Sequence, residues 1–128
     1  MTSRHILLID DEDDIREVAE LSLTAVGGWR VSSAADGTSG IAMARAERPD
    51  AILLDVMMPE LDGPATFASL QADPRTRDIP VILLTAKAQR ADRRRFAALG
   101  VAGTLTKPFD PMTITDQIAA ILAGEQAS

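Results

Sequence analysis

The 128-residue chain contains no cysteine, no tyrosine and a single histidine, His5. The missing thiols exclude disulfides and thiolate metal sites and fit a reducing compartment. One imidazole leaves too few ligands for a zinc centre. Long apolar runs are lacking as well. The polar start and the short, charge-broken run after it are too brief for a signal peptide or a membrane span, so the chain reads as cytoplasmic. Cationic excess is the last absence: 13 Lys and Arg face 19 Asp and Glu, a net charge of −6, and such a surface repels nucleic acid. There is no repeat, linker or low-complexity stretch. The length suits one domain spanning 1–128, with a core over about residues 4–122 and a short tail at 125–128 that is too small to be an output domain.

Three continuous apolar runs are present, at residues 6–9, 51–54 and 81–84. Continuity rather than alternation is the mark of strands covered on both faces. Two weaker runs, at 29–34 and 103–107, read as edge strands. Helical spacing fills the intervals. Ile15, Val18, Ala19, Leu23 and Val26 lie on one face of a helix that Gly27 and Gly28 end. Alanine-rich helices are expected at about 38–48, 64–71 and 89–99. Asp110 is placed to cap the last helix with Pro111 at its first position; Ile114, Ile118, Ile121 and Leu122 form its buried stripe, and Gly124 stops it. Five strand–helix alternations with right-handed crossovers predict an α/β fold. It is a doubly wound, five-stranded parallel sheet of order 2-1-3-4-5, flavodoxin-like, with helices on both faces.

Ligands of such folds bind beyond the carboxyl ends of the strands. Asp10 and Asp11 end the first strand, Asp55 the third, Thr85 the fourth and Lys107 the fifth. Three carboxylates without imidazole or thiolate make a hard oxygen site suited to Mg²⁺, which prefers one or two carboxylates together with a phosphate. In that setting Asp55 can act as a nucleophile that forms an acyl phosphate. Lys107 supplies positive charge to phosphoryl oxygens, and the Thr85 hydroxyl can donate to one of them. The run "DDEDD" at 10–14, otherwise a costly crowd of like charge, makes sense as a cation cradle.

With these motifs in order, "LIDDE" at 8–12, "LLDVMMPELDG" at 53–63, "LLTA" at 83–86 and "LTKPF" at 105–109, the chain resembles the response-regulator receiver domains of two-component signalling. The resemblance runs over nearly the whole chain. It implies that Asp55 is the phosphoacceptor, charged by a sensor histidine kinase or a histidine phosphotransfer protein. It further implies that Asp11, Asp55 and the Met57 carbonyl ligate Mg²⁺, that Asp10 acts through water, and that Thr85 and Lys107 hold the phosphoryl oxygens. A cis peptide between Lys107 and Pro108 belongs to the same pattern. The implied function is a phosphorylation-dependent switch acting on a downstream protein, without membrane or nucleic-acid contact, and not an enzyme toward external substrates. The alternatives are a phosphorylation-independent binding module and, last, an aspartyl-phosphate phosphatase. Such a phosphatase usually has a second Asp where this chain has Met57.

One position departs from the family. Three residues before the lysine of "KPF", where an aromatic switch residue usually stands, this chain has Thr104, and Phe67, Phe96 and Phe109 all lie elsewhere. Either Thr104 leaves room for a different movement of the fourth helix, or the output uses another surface. Other residues have plainer readings. Glu12, Asp13 and Asp14 suit the first turn of a helix, where acids complement its dipole. Met58 reads as core. Lys87 reads as a solvated lysine near the mouth of the site. Arg90, Arg93, Arg94 and Arg95 form either an exposed helical face or a patch for an acidic partner. His5 and Trp29 fall at the opposite ends of the strands, away from the site.

Overall fold

The structure, a computed structural model, describes residues 4–86, 94–96 and 98–124. Its elements are β1 (His5–Ile9), α1 (Asp13–Ala25), β2 (Arg30–Ala34), α2 (Gly37–Glu47), β3 (Ala51–Asp55), α3 (Gly63–Ala72), β4 (Val81–Thr85), β5 (Gly103–Thr106) and a C-terminal helix (Ile114–Leu122). Arg94, Arg95, Phe96 and Ala98 are helical too. All strand pairs are parallel, and the order is β2-β1-β3-β4-β5, as the alternating pattern predicts.

Every residue of β1, β3 and β4 is buried, because successive side chains enter two different cores. Leu7, Ile9, Ile52, Leu54 and Leu83 pack with Ile41 and Ala44 of α2 and Phe67 and Leu70 of α3. Ile6, Leu8, Leu53, Ile82 and Leu84 pack on the other face with Ala19 and Leu23 of α1 and Ile114, Ile118 and Ile121. At about 25 cal/mol per Å² of apolar surface removed from water, these two layers are the main stabilising contribution.

Two helices differ from expectation. Val18 on α1 and Val26 at its C-cap are exposed and Ser22 is buried instead; its hydroxyl donates to the Val18 carbonyl, which satisfies the polar group inside the helix. The C-terminal helix starts at Ile114 with Thr113 as N-cap, not at Pro111. Asp110 spends its carboxylate on the Met112 N–H and its carbonyl on Thr113 and Ile114, and this Asx-type turn displaces the helix start. Gly124 does end the helix, with φ of 78°.

Candidate functional site

The register of the sheet assembles the site. Ile9 lies opposite Leu54, so Asp10, one residue on, emerges beside Asp55. Asp55 lies opposite Leu84, and Thr85 opposite Thr106. The N–H of Lys107, the residue after β5, donates to the Thr85 carbonyl at 2.8 Å. The Lys107–Pro108 peptide is cis. Close packing fixes β3 from behind. A Cβ on Gly63 would lie 2.6 Å from the Asp55 carbonyl oxygen, so only glycine lets α3 begin there.

The Lys107 ammonium stands at the centre, 2.8 Å from Asp10 Oδ2, 3.1 Å from Asp55 Oδ1 and 3.2 Å from Glu12 Oε1. Asp10 is 0% exposed and Asp55 3%, whereas Asp11 and Glu12 open to solvent. Asp10 Oδ1 accepts from the Glu12 N–H at 2.8 Å, which folds the loop after β1 around the crevice. Arg16 of α1 donates to the Asp10 carbonyl at 2.7 Å and pairs with Asp13. The Met57 N–H donates to Asp55 Oδ1 at 3.3 Å. Asp55 Oδ2 is buried without a hydrogen-bond partner among the described residues. A polar atom left in that state is costly unless something outside the chain relieves it.

Electrostatics follow from this geometry. Burial, and then the Asp10 carboxylate, push the Asp55 pKa up to about 6, while Lys107 and the Met57 N–H pull against them. For Lys107, burial opposes the charge, but hydrogen bonding and attraction from Asp10 and then Asp55 hold its pKa above the ordinary lysine value. Oxygens of Asp10, Asp11, Glu12 and Asp55 lie within 4.8 Å of one another. An all-carboxylate set of this kind, with a buried unsatisfied oxygen, fits a hard divalent cation such as Mg²⁺.

Asp10, Asp11, Asp55 and Lys107 are thus brought together. Thr85 is buried at the end of β4, next to β3. Met57 presents its backbone to Asp55 while its side chain is 74% exposed, and Met58 is buried in the core. Glu12 is an addition: it joins the crevice as well as preceding α1, and only its contact with Lys107, 95 positions away, could reveal that. Thr104 is half-buried on β5, opposite Leu83. Arg94 and Arg95 are exposed, whereas Lys87, Arg90 and Arg93 lie outside the described residues. At the other edge of the sheet, His5 and Trp29 take no part in the crevice: His5 Nε2 meets Ser32 Oγ at 2.9 Å, and Arg4 lies 5.6 Å over the Trp29 ring.

This crevice, on this sheet, is that of a two-component signalling receiver. The response regulator receiver domain family matches residues 6–119, and the chain belongs to that family. It is 41% identical over 119 residues to the response regulator PleD of Caulobacter vibrioides, a match that covers 93% of this chain and 26% of PleD. It is 39% identical over 117 residues to the DNA-binding dual master transcriptional regulator RpaA of Synechocystis, covering 91% of this chain and 48% of RpaA. The chain therefore spans half or less of the length of these relatives. Among solved structures, it superposes with a TM-score of 0.83 on the receiver domain of the sensor histidine kinase PA1611 from Pseudomonas aeruginosa PAO1, at 32% identity, covering 95% of this chain and 99% of that one. That domain carries a magnesium ion in its active-site cleft. No helix among the described residues is long and apolar enough to cross a membrane.

Proposed function

We propose that the chain is a phosphorylation-dependent switch in which Asp55 accepts a phosphoryl group from a phosphohistidine of a sensor kinase or phosphotransfer protein. The observation that carries this reading is the buried, unpartnered Oδ2 of Asp55 beside a lysine ammonium. With a pKa of about 6, the carboxylate is mostly ionised at neutral pH and available as a nucleophile. Oδ2 attacks phosphorus as the P–N bond breaks, and the electron pair of that bond returns to the departing imidazole. Lys107 leaves its bridge between Asp10 and Asp55 to pair with phosphoryl oxygens, and the Thr85 hydroxyl donates to another. Asp11, Asp55 and the Met57 carbonyl would hold Mg²⁺ directly, with Asp10 acting through water. Such an ion, when bound, supplies the charge that offsets repulsion between carboxylate and phosphoryl group.

The phosphorylated state changes affinity for a protein partner, and the net charge of −6 favours protein over nucleic acid as that partner. Thr104 in place of an aromatic favours a second reading, a binding module whose affinity ignores phosphorylation. Intact mass after incubation with Mg²⁺ and acetyl phosphate separates the two. One added phosphoryl group, absent from Asp55→Asn, supports the switch, and no adduct supports the module. Steady hydrolysis of an external phosphate ester would overturn both in favour of an enzyme.

A further inference from the structure

Helix electrostatics favours acids near an N-terminus and cations near a C-terminus. Yet α1 carries its single basic residue, Arg16, at its fourth position and none in its last turn. Its contacts explain that placement. The Arg16 side chain is only 20% exposed, and its guanidinium turns back past the helix start: Nη1 donates to the Asp10 carbonyl at 2.7 Å, and Nη2 pairs with Asp13. The Arg16 backbone N–H donates to the Glu12 carbonyl at 3.1 Å. Glu12, the N-cap, makes no side-chain cap bond, so Arg16 fastens this end of α1 from within the helix.

The stretch it fastens carries three of the four crevice carboxylates, those of Asp10, Asp11 and Glu12. Different neighbours hold the rest of Asp10: its N–H donates to the Ala34 carbonyl at 3.1 Å, Oδ1 accepts from Glu12, and Oδ2 meets Lys107. The Asp10 carbonyl shares one peptide plane with the Asp11 N–H, so fixing that oxygen also fixes how the chain enters Asp11. Asp11 is exposed, and its carboxylate has no hydrogen bond or ion pair among the described residues. The backbone beneath it sets its aim.

We propose that Arg16 is a positioning residue for the divalent cation of the crevice: by holding the Asp10 carbonyl it keeps the Asp10 and Asp11 carboxylates turned toward Asp55, without touching the ion itself. This rests on the Mg²⁺ reading of the site. Charge and position act with opposite sign here, which makes the role separable. An arginine acting only through its charge repels Mg²⁺, so its removal would strengthen binding. An arginine acting through the loop aims the ligands, so its removal weakens binding.

The test is calorimetric titration of the unphosphorylated full chain with Mg²⁺, beside urea unfolding in metal-free buffer. Arg16→Met is expected to weaken Mg²⁺ binding about tenfold, the scale on which groups behind a metal ligand act. Arg16→Lys keeps the charge but loses the planar fork, and is expected to bind about threefold more weakly than the parent. Asp13→Asn leaves the guanidinium on the carbonyl and removes only an exposed ion pair, so it is expected to change affinity less than about twofold. Amide shifts at Asp11 and Glu12 should follow the affinity loss across the three variants. Unchanged or tighter Mg²⁺ binding by a folded Arg16→Met would overturn the proposal, and a loss of stability alone would leave Arg16 a staple of the helix. If Arg16→Met does not fold, Arg16→Lys decides, and parent-level affinity in it would overturn the proposal. No Mg²⁺ binding by the parent would overturn the cation reading and this proposal with it, an outcome distinct from binding that the variants leave unchanged.

Discussion

Asp55 and Asp73 are both buried aspartates, 3% and 9% exposed, and their surroundings drive them in opposite directions. Asp73, at the end of α3, accepts from the Arg75 N–H at 2.8 Å, from Arg75 Nη2 at 3.1 Å and, across to α2, from Arg45 Nε at 2.6 Å. Hydrogen bonding from Arg75, with Arg45 adding to it, holds its carboxyl far below the ordinary range. Asp55 shares one ammonium with Asp10 and Glu12 and keeps one oxygen bare, and its pKa rises. The first arrangement ties helices together. The second holds charge in a state that a cation would relieve. The difference marks the crevice as the place where buried charge is left only partly compensated.

The largest expected effect comes from removing the shared cation. In Lys107→Met, Asp10 and Asp55 lose the one cation they share among the described residues, and breaking a buried pair of this kind costs about 3 kcal/mol or more. Urea unfolding at pH 8 should show that loss, and at pH 5 a smaller one as Asp55 takes up a proton. An unchanged midpoint at both pH values would mean that the ammonium does not hold the crevice together. Asp55→Asn should act in the opposite sense. A carboxyl raised from 3.8 to about 6 destabilises the folded state as pH climbs through that window, because the native protein binds the extra proton. Without metal, the variant should therefore be more stable than the parent at pH 7 by on the order of 2 kcal/mol, with little difference near pH 4. Mg²⁺ should raise the thermal midpoint of the parent and have far less effect on the variant. A parent that is more stable than the variant throughout would break the contrast with Asp73.

Asp73→Asn sharpens it from the other side. A depressed carboxyl contributes stability above the unfolded value of 3.8 and loses it as pH falls. The variant should be less stable at pH 7, opposite in sign to Asp55→Asn, and the gap should begin to narrow only once the pH falls below 3.8. Mg²⁺-dependent phosphorylation should persist in it, since Asp73 lies outside the crevice. Urea midpoints at pH 7 and pH 3 check the first expectation, and intact mass with acetyl phosphate checks the second.

How much of this was visible in the chain depends on the distance over which each residue acts. Asp10, Asp55 and Lys107 could be read because strand ends in a doubly wound sheet converge wherever the order is known, and three unbroken apolar runs settle which strands lie inside. Asp73 could not be read: its partners are an arginine two residues on and another 28 residues back, and no periodicity links them. Val18 and Val26 fit a helical stripe on paper, but α1 turns Ser22 inward in their place because a serine can satisfy itself on the preceding turn. The start of the C-terminal helix failed for a related reason. Asp110 can serve an Asx turn as readily as a cap, and backbone geometry rather than residue type chooses between them.

Glu12 offers the smallest and most discriminating test. It directly precedes α1, where an acid complements the helix dipole, and its carboxylate also reaches Lys107 at 3.2 Å with 58% of the side chain exposed. Solvent screens such a contact, so Glu12→Gln should change stability by less than about 1 kcal/mol. Its charge, however, is one of four negative charges around the position a divalent cation would take. Its removal should weaken Mg²⁺ binding roughly two- to fivefold, through a Coulombic effect that fades with salt. Calorimetric titration with Mg²⁺ at two ionic strengths, beside urea unfolding, separates the two roles. A loss of stability with unchanged Mg²⁺ affinity would return Glu12 to the helix alone and reduce the crevice to three carboxylates.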